Sequence, residues 1–236
     1  MSRTKFNAVD LTPGRSPIMP STMKSFDTIN RESNLARWGA AAIAVLGWVG
    51  LIVQFNATYG LTGSVVESLW TLVRYFTVLT NLLTAVVMTG IAVGYPTFKS
   101  PAVLGGSTFF IATVGILYSL LLRGLLELSG GAKLADFVLH DAVPILAVLY
   151  WLVFAQKGLL KARDPWIWLI YPLLYAIYAL IRGAADGKYA YPQINAAQIG
   201  WPQTAINVAA ILAGFLVMGY ILCGLDRQLG RRPTKS

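Results

Sequence analysis

Apolar residues run along the chain in six long blocks, at roughly residues 37 to 58, 68 to 94, 105 to 126, 136 to 155, 165 to 183 and 204 to 225. Each is long enough to cross a hydrocarbon core as a helix, which takes about 20 residues. Turn-forming and charged residues fill the gaps: Tyr95-Pro96 and Ser100-Pro101 after the second block, Gly130-Gly131 after the third, Lys157 to Asp164 after the fourth. At the fifth, Asp164 is placed to cap the helix and Pro165 to sit in its first turn, where a missing N–H costs nothing. The pattern predicts an all-α fold, a polytopic membrane protein built as a bundle of six transmembrane helices.

The chain divides into three segments: a tail over 1–35, a transmembrane domain over 36–226 and a basic C-terminal tail over 227–236. Residues 1–35 are polar and rich in Ser, Thr and Pro, with no short apolar core ahead of a cleavage site. They read as a flexible cytoplasmic tail, with the first block as an uncleaved anchor. No internal repeat relates the first three blocks to the last three, and neither half carries the paired broken helices of many transporters.

Composition agrees. Of 236 residues, 56% are hydrophobic and 12% charged, and mean hydropathy is +0.61, whereas soluble domains are about a quarter charged. A single cysteine, Cys223, and a single histidine, His140, exclude an internal disulfide and a His/Cys metal cage; no metal and no cofactor are expected. A net charge of +9 suits nucleic acid only where cations share one soluble face, and here they lie between the blocks. Fourteen Lys and Arg fall on the side of the two termini, against Arg123, Lys133, Arg182 and Lys188 on the other, with Arg74 inside the second block. Both termini are therefore expected in the cytoplasm.

Polar groups inside a span cost free energy unless satisfied, which makes them the first functional candidates. In the second block, Arg74, Thr77 and Asn81 are spaced to share one helical face, with Thr80 beside it. In the fourth, Asp136, His140 and Pro144 recur every four residues; Pro144 has no N–H for the His140 carbonyl, so a kink is expected there. Both blocks start on the outer side, which puts Thr77 and His140 about 10 to 15 Å below that surface. Tyr118, Arg123, Tyr178, Arg182 and Asn207 approach the same level, so one outer-leaflet pocket would collect them.

Plainer uses exist for each. A membrane-span Thr often bonds its own i−4 carbonyl, and a His can bridge helices. Asp136 could cap a helix, and Arg123 and Arg182 could snorkel to the interface. The Gly90/Gly94 spacing is a common packing pattern, leaving self-association as a homo-oligomer open.

Three segments go beyond a generic membrane pattern: Tyr75-Phe76-Thr77-x-x-Thr80-Asn81-Leu82, then His140-x-x-x-Pro144, then Trp168-x-x-Tyr171-Pro172-x-x-Tyr175 leading to Arg182-Gly183 and Tyr189-x-Tyr191-Pro192. In that order, over residues 37 to 225, the chain resembles the bacterial six-span Pr-six-Pr family, which is similar to the animal androgen-induced/ADTRP-like membrane fatty-acid-ester hydrolases. The resemblance implies a bacterial plasma-membrane protein with Thr77 as nucleophile and His140 as its partner in cleaving fatty-acid esters of hydroxy fatty acids or similar lipids. Two positions depart from the family habit. Asn195 stands where an acidic residue often follows the Tyr-Pro element, and Tyr150-Trp151 where Asp-Trp is common.

The chemistry so implied is that of a membrane-embedded threonine hydrolase. His140, near pKa 6.5 in reference peptides, is the side chain suited to take the Thr proton at neutral pH. Arg74 and Asn81 are candidate oxyanion donors; Arg74, Arg182 and the neighbouring Tyr178 are candidates to bind substrate, the arginines through a fatty carboxylate. Either Asp136 or Asp141 would orient the imidazole. The expected partners are the membrane and a lipid ester delivered from it, with no nucleic acid. A transporter or channel for a small polar or amphiphilic solute, and a non-catalytic membrane partner, are the rival readings of the same cluster.

Overall fold

The computed structural model describes residues 21 to 124 and 127 to 231. Among them there are helices and no strand. Six helical stretches are long and apolar enough to cross a membrane: Asn34–Thr62, Phe76–Val93, Pro101–Leu121, Gly130–Phe154, Asp164–Asp186 and Trp201–Gly230. The protein is an all-α, six-span polytopic membrane protein.

In chain order the helices are α1 (Ser21–Thr62), α2 (Val65–Leu72), α3 (Phe76–Val93), α4 (Pro101–Leu121), α5 (Gly130–Phe137), α6 (Val143–Phe154), α7 (Asp164–Asp186), α8 (Ala196–Ile199) and α9 (Trp201–Gly230). A π-helical turn over Val138–Ala142 joins α5 to α6 into one span. α1 begins at Ser21, so helix enters the segment read as a tail; residues 1 to 20 lie outside the described residues. Residues 21–35 form a unit of their own, and the bundle belongs to a second unit that runs from Ala36 onward.

α4 is the hub of the bundle, packed against α3, α6, α7 and α9. In α3 and α4, 56% of the most apolar stretch is buried, against 17% in α9 and 28% in α1 and α7. Outward-facing apolar residues such as Ile170, Leu174, Ile177 and Ile181 of α7 are exposed. On a soluble domain such a stripe would aggregate; against lipid it is the ordinary surface.

Two expectations need correction. The second block is not one helix: α2 ends at Leu72, and Val73 to Tyr75 form a break before α3 restarts from an extended Tyr75. Arg74 thus precedes the helix that carries Thr77 and Asn81 and does not share its face. At the fifth block, Asp164 is the first helical residue, and its carboxylate accepts the Lys161 N–H at 2.8 Å in the turn before rather than capping α7.

Candidate functional site

Thr77 lies in the first turn of α3, where the N–H groups have no partner within the helix and Tyr75 offers no side-chain cap. Other buried threonines, Thr84, Thr113 and Thr204, bond their own i−4 carbonyls at 2.8 to 2.9 Å. For Thr77 that carbonyl would be Val73's, which accepts the Tyr178 hydroxyl instead, at 3.2 Å. The Tyr191 hydroxyl faces the Thr77 hydroxyl and the N–H groups of Phe76 and Thr77. Burial pushes the Tyr191 phenol above its ordinary pKa, outweighing the opposing hydrogen bonds from Thr77, so it carries its proton.

His140 sits on the π-turn. Its Nδ1 is 3.0 Å from the Asp136 carboxylate and 3.1 Å from the Asp136 carbonyl. Two acceptors there fix the proton on Nδ1 and leave the Nε2 lone pair available. Tyr118 stacks on the imidazole, 3.8 Å between centroids and 17° from parallel, and donates its hydroxyl to Asp136 at 2.6 Å. Asp141, the other candidate to orient the ring, pairs with Arg123 at 2.5 Å. Asp136 is therefore the carboxylate that pairs with the histidine, rather than a helix cap.

Asn81, fully buried, connects the two halves. Its amide donates to the Thr77 carbonyl and to the Leu139 carbonyl, each at 3.0 Å. Those carbonyl oxygens are thus within about 6 Å of each other. No hydrogen bond joins the Thr77 and His140 side chains among the described residues. Both Asn81 N–H groups are occupied, which removes them as oxyanion donors in this arrangement.

The two candidate arginines act together beside the break. Arg74 donates to both Asp186 carboxylate oxygens, at 3.1 and 2.7 Å, and to the Lys188 carbonyl; its pKa is raised chiefly by that carboxylate. Arg182 donates to the Tyr178 hydroxyl at 2.7 Å and to the Trp70 carbonyl, and stacks over the Trp70 ring. Tyr175 donates to the Arg74 carbonyl at 2.7 Å. The carbonyls that α2 and the break leave without helical partners are thus taken up by α7. Arg74, Tyr178 and Arg182 brace the approach to Thr77.

Thr77, Tyr118, Tyr175 and Tyr191 also line one cleft of about 770 Å³, its open mouth included. Its other walls are apolar apart from Gln193, and include Leu117 of α4 with Ile211 and Phe215 of α9. From Val114 to Leu122 along α4 it extends about 12 Å at the helical rise. His140 does not line it; Tyr118 touches both.

Six apolar spans with hydroxyl, imidazole and carboxylate groups gathered between α3, α4 and the α5–α6 span define the class: a multi-pass membrane protein with a polar interior site. No family model, curated protein or solved structure matches the chain.

Sequence reasoning picked His140 and Asp136, which the fold pairs, and Thr77, whose carbonyl Asn81 ties to that of Leu139; it placed Tyr118 only at the level of the pocket and Tyr191 only within a motif. Tyr191 carried a signal in its Tyr-Pro dipeptide after the fifth span. Tyr118 lies one turn before the end of α4, where an interfacial anchor is the ordinary reading.

Proposed function

We propose that the protein is a membrane-embedded hydrolase of lipid esters, with Thr77 as nucleophile and His140 as general base, as the likeness to the Pr-six-Pr and androgen-induced families suggests. The observation that carries this reading is the Asp136–His140 pair: a carboxylate on Nδ1 leaves Nε2 to accept a proton, the arrangement a hydroxyl nucleophile requires. In support, Thr77 opens into an apolar cleft suited to an acyl chain, and its backbone is tied to the segment bearing His140.

Thr77 Oγ attacks the ester carbonyl while Nε2 takes its proton, and the imidazolium returns that proton to the departing alcohol. Water then attacks the acyl-threonine by the same relay. No hydrogen bond joins Thr77 to His140 among the described residues, so the reactive arrangement has to bring the two side chains into reach when substrate enters. The start of α3 and the Tyr191 hydroxyl meet the negative charge on the carbonyl oxygen. On the same reading the site lies in the outer leaflet of a bacterial plasma membrane with both termini cytoplasmic, in keeping with the Lys and Arg distribution.

Fluorophosphonate labelling of the detergent-purified protein tests this. Label on Thr77 that disappears in Thr77→Ala and in His140→Ala is the expected result. Folded wild type that takes no label and hydrolyses no ester, while carrying solute into liposomes, overturns it in favour of transport.

A further inference from the structure

A π-turn leaves a carbonyl without its donor. In the α5–α6 span the Val143 N–H reaches back five residues to the Val138 carbonyl, not four to Leu139. In π register the Leu139 carbonyl would look to residue 144, which is proline and has no N–H. Proline spacing alone points to the His140 carbonyl as the one freed by Pro144; the oxygen captured from outside is Leu139's, bonded by Asn81. Asn81 sits on α3 one turn after Thr77 and gives its other N–H to the Thr77 carbonyl.

We propose that Asn81 is a positioning residue, a clamp whose two amide N–H groups hold the nucleophile's turn against the bulge that presents His140. The inference rests on the hydrolase reading and deepens it. No other side chain bridges the two carbonyls among the described residues, and Asn81 is fully enclosed, so the clamp is not shared with solvent. Its Oδ1 receives no hydrogen bond, so the polar contribution of this buried side chain lies in its two donated bonds. The clamp acts on the placement of the imidazole, whose proton is set by Asp136 on its own span and Tyr118 on α4, with the Asp141–Arg123 pair alongside.

The test uses full-length protein in detergent and p-nitrophenyl octanoate as probe. Asn81→Leu keeps the size and removes both donors; kcat is expected to fall on the order of ten- to a hundredfold, with KM close to wild type. Adding Pro144→Ala restores an N–H on the opposite side of the orphaned carbonyl. Asn81→Leu/Pro144→Ala should recover the thermal stability lost in Asn81→Leu without recovering kcat, because the carbonyl is satisfied but no longer tied to α3. Recovery of kcat together with stability would overturn the proposal, reducing Asn81 to a structural partner. So would wild-type kcat in Asn81→Leu when Thr77→Ala is inactive. If Thr77→Ala itself turns over normally, the hydrolase reading falls and takes the positioning role with it, although stability coupling between residues 81 and 144 would still report the clamp.

Discussion

Tyr118 and His140 lie face to face, 3.8 Å between ring centroids, and the hydroxyl of the first and the Nδ1 of the second bind the two oxygens of the same Asp136 carboxylate. Ring and carboxylate together fix the imidazole plane from two directions. The neighbouring carboxylate, Asp141, is held away by Arg123. Two adjacent acidic candidates are thereby sorted into separate jobs by partners on α4 and just beyond it.

Asp136→Asn should slow labelling or ester turnover on the order of a hundredfold, since general base catalysis supplies about that much or more. Asp141→Asn should leave the rate within a few-fold of wild type. Equal losses in the two variants, read by initial rates, would contradict the assignment of Asp136. In wild type the rate should fall as pH drops and the imidazole becomes protonated.

Tyr191→Phe keeps the ring that packs edge-on against Tyr75 at 6.1 Å and removes the hydroxyl at Thr77. Loss of an oxyanion donor costs on the order of a hundredfold in kcat, and the melting temperature should scarcely move. An unchanged kcat would show that the start of α3 suffices alone.

Ile211 and Leu117 both line the cleft. Ile211→Trp should fill that passage, sharply reducing turnover of an octanoate or longer ester while leaving an acetate ester nearly unaffected. If both substrates are lost together with intact folding, the cleft is not the acyl path.

Gly50 of α1 lets that helix rest on the bulge: a Cβ there would be 2.7 Å from Val138 and 2.8 Å from Leu139 side-chain carbons. Gly50→Ala should destabilise by about 1 to 3 kcal/mol, the usual range for overpacking, measured by thermal unfolding in detergent. No loss would mean α1 can shift freely against the span that carries His140.

The six spans were legible because a hydrocarbon core imposes length and apolarity locally. The break at Val73–Tyr75 was not. Leu72 and Val73 are as apolar as their neighbours, and no Gly or Pro marks the site. The carbonyls it exposes at Trp70, Val73 and Arg74 are satisfied by Arg182, Tyr178 and Tyr175, about a hundred residues away, so tertiary partners permit what local pattern cannot announce. Spacing put Asp136 on the face of His140, where the fold keeps it, and left Asp141 as an equal. What separates them is the Arg123 and Tyr118 contacts, again invisible to a local reading. Asn81 was picked for its polarity, yet its engagement of Leu139 depended on a bulge that periodicity alone did not reveal.

A π-turn is one residue more than a regular helix would use over the same path, so the gene holds at this point a codon that a plain span could do without. Deleting any one residue between Val138 and Ala142 would let the span close into a regular helix over the same path, keeping the flanking turns in place but erasing the bulge on which the imidazole sits. The imidazole's bearing is therefore set by chain length as much as by side-chain chemistry, and a single in-frame deletion could abolish it while leaving almost every residue of the site unchanged.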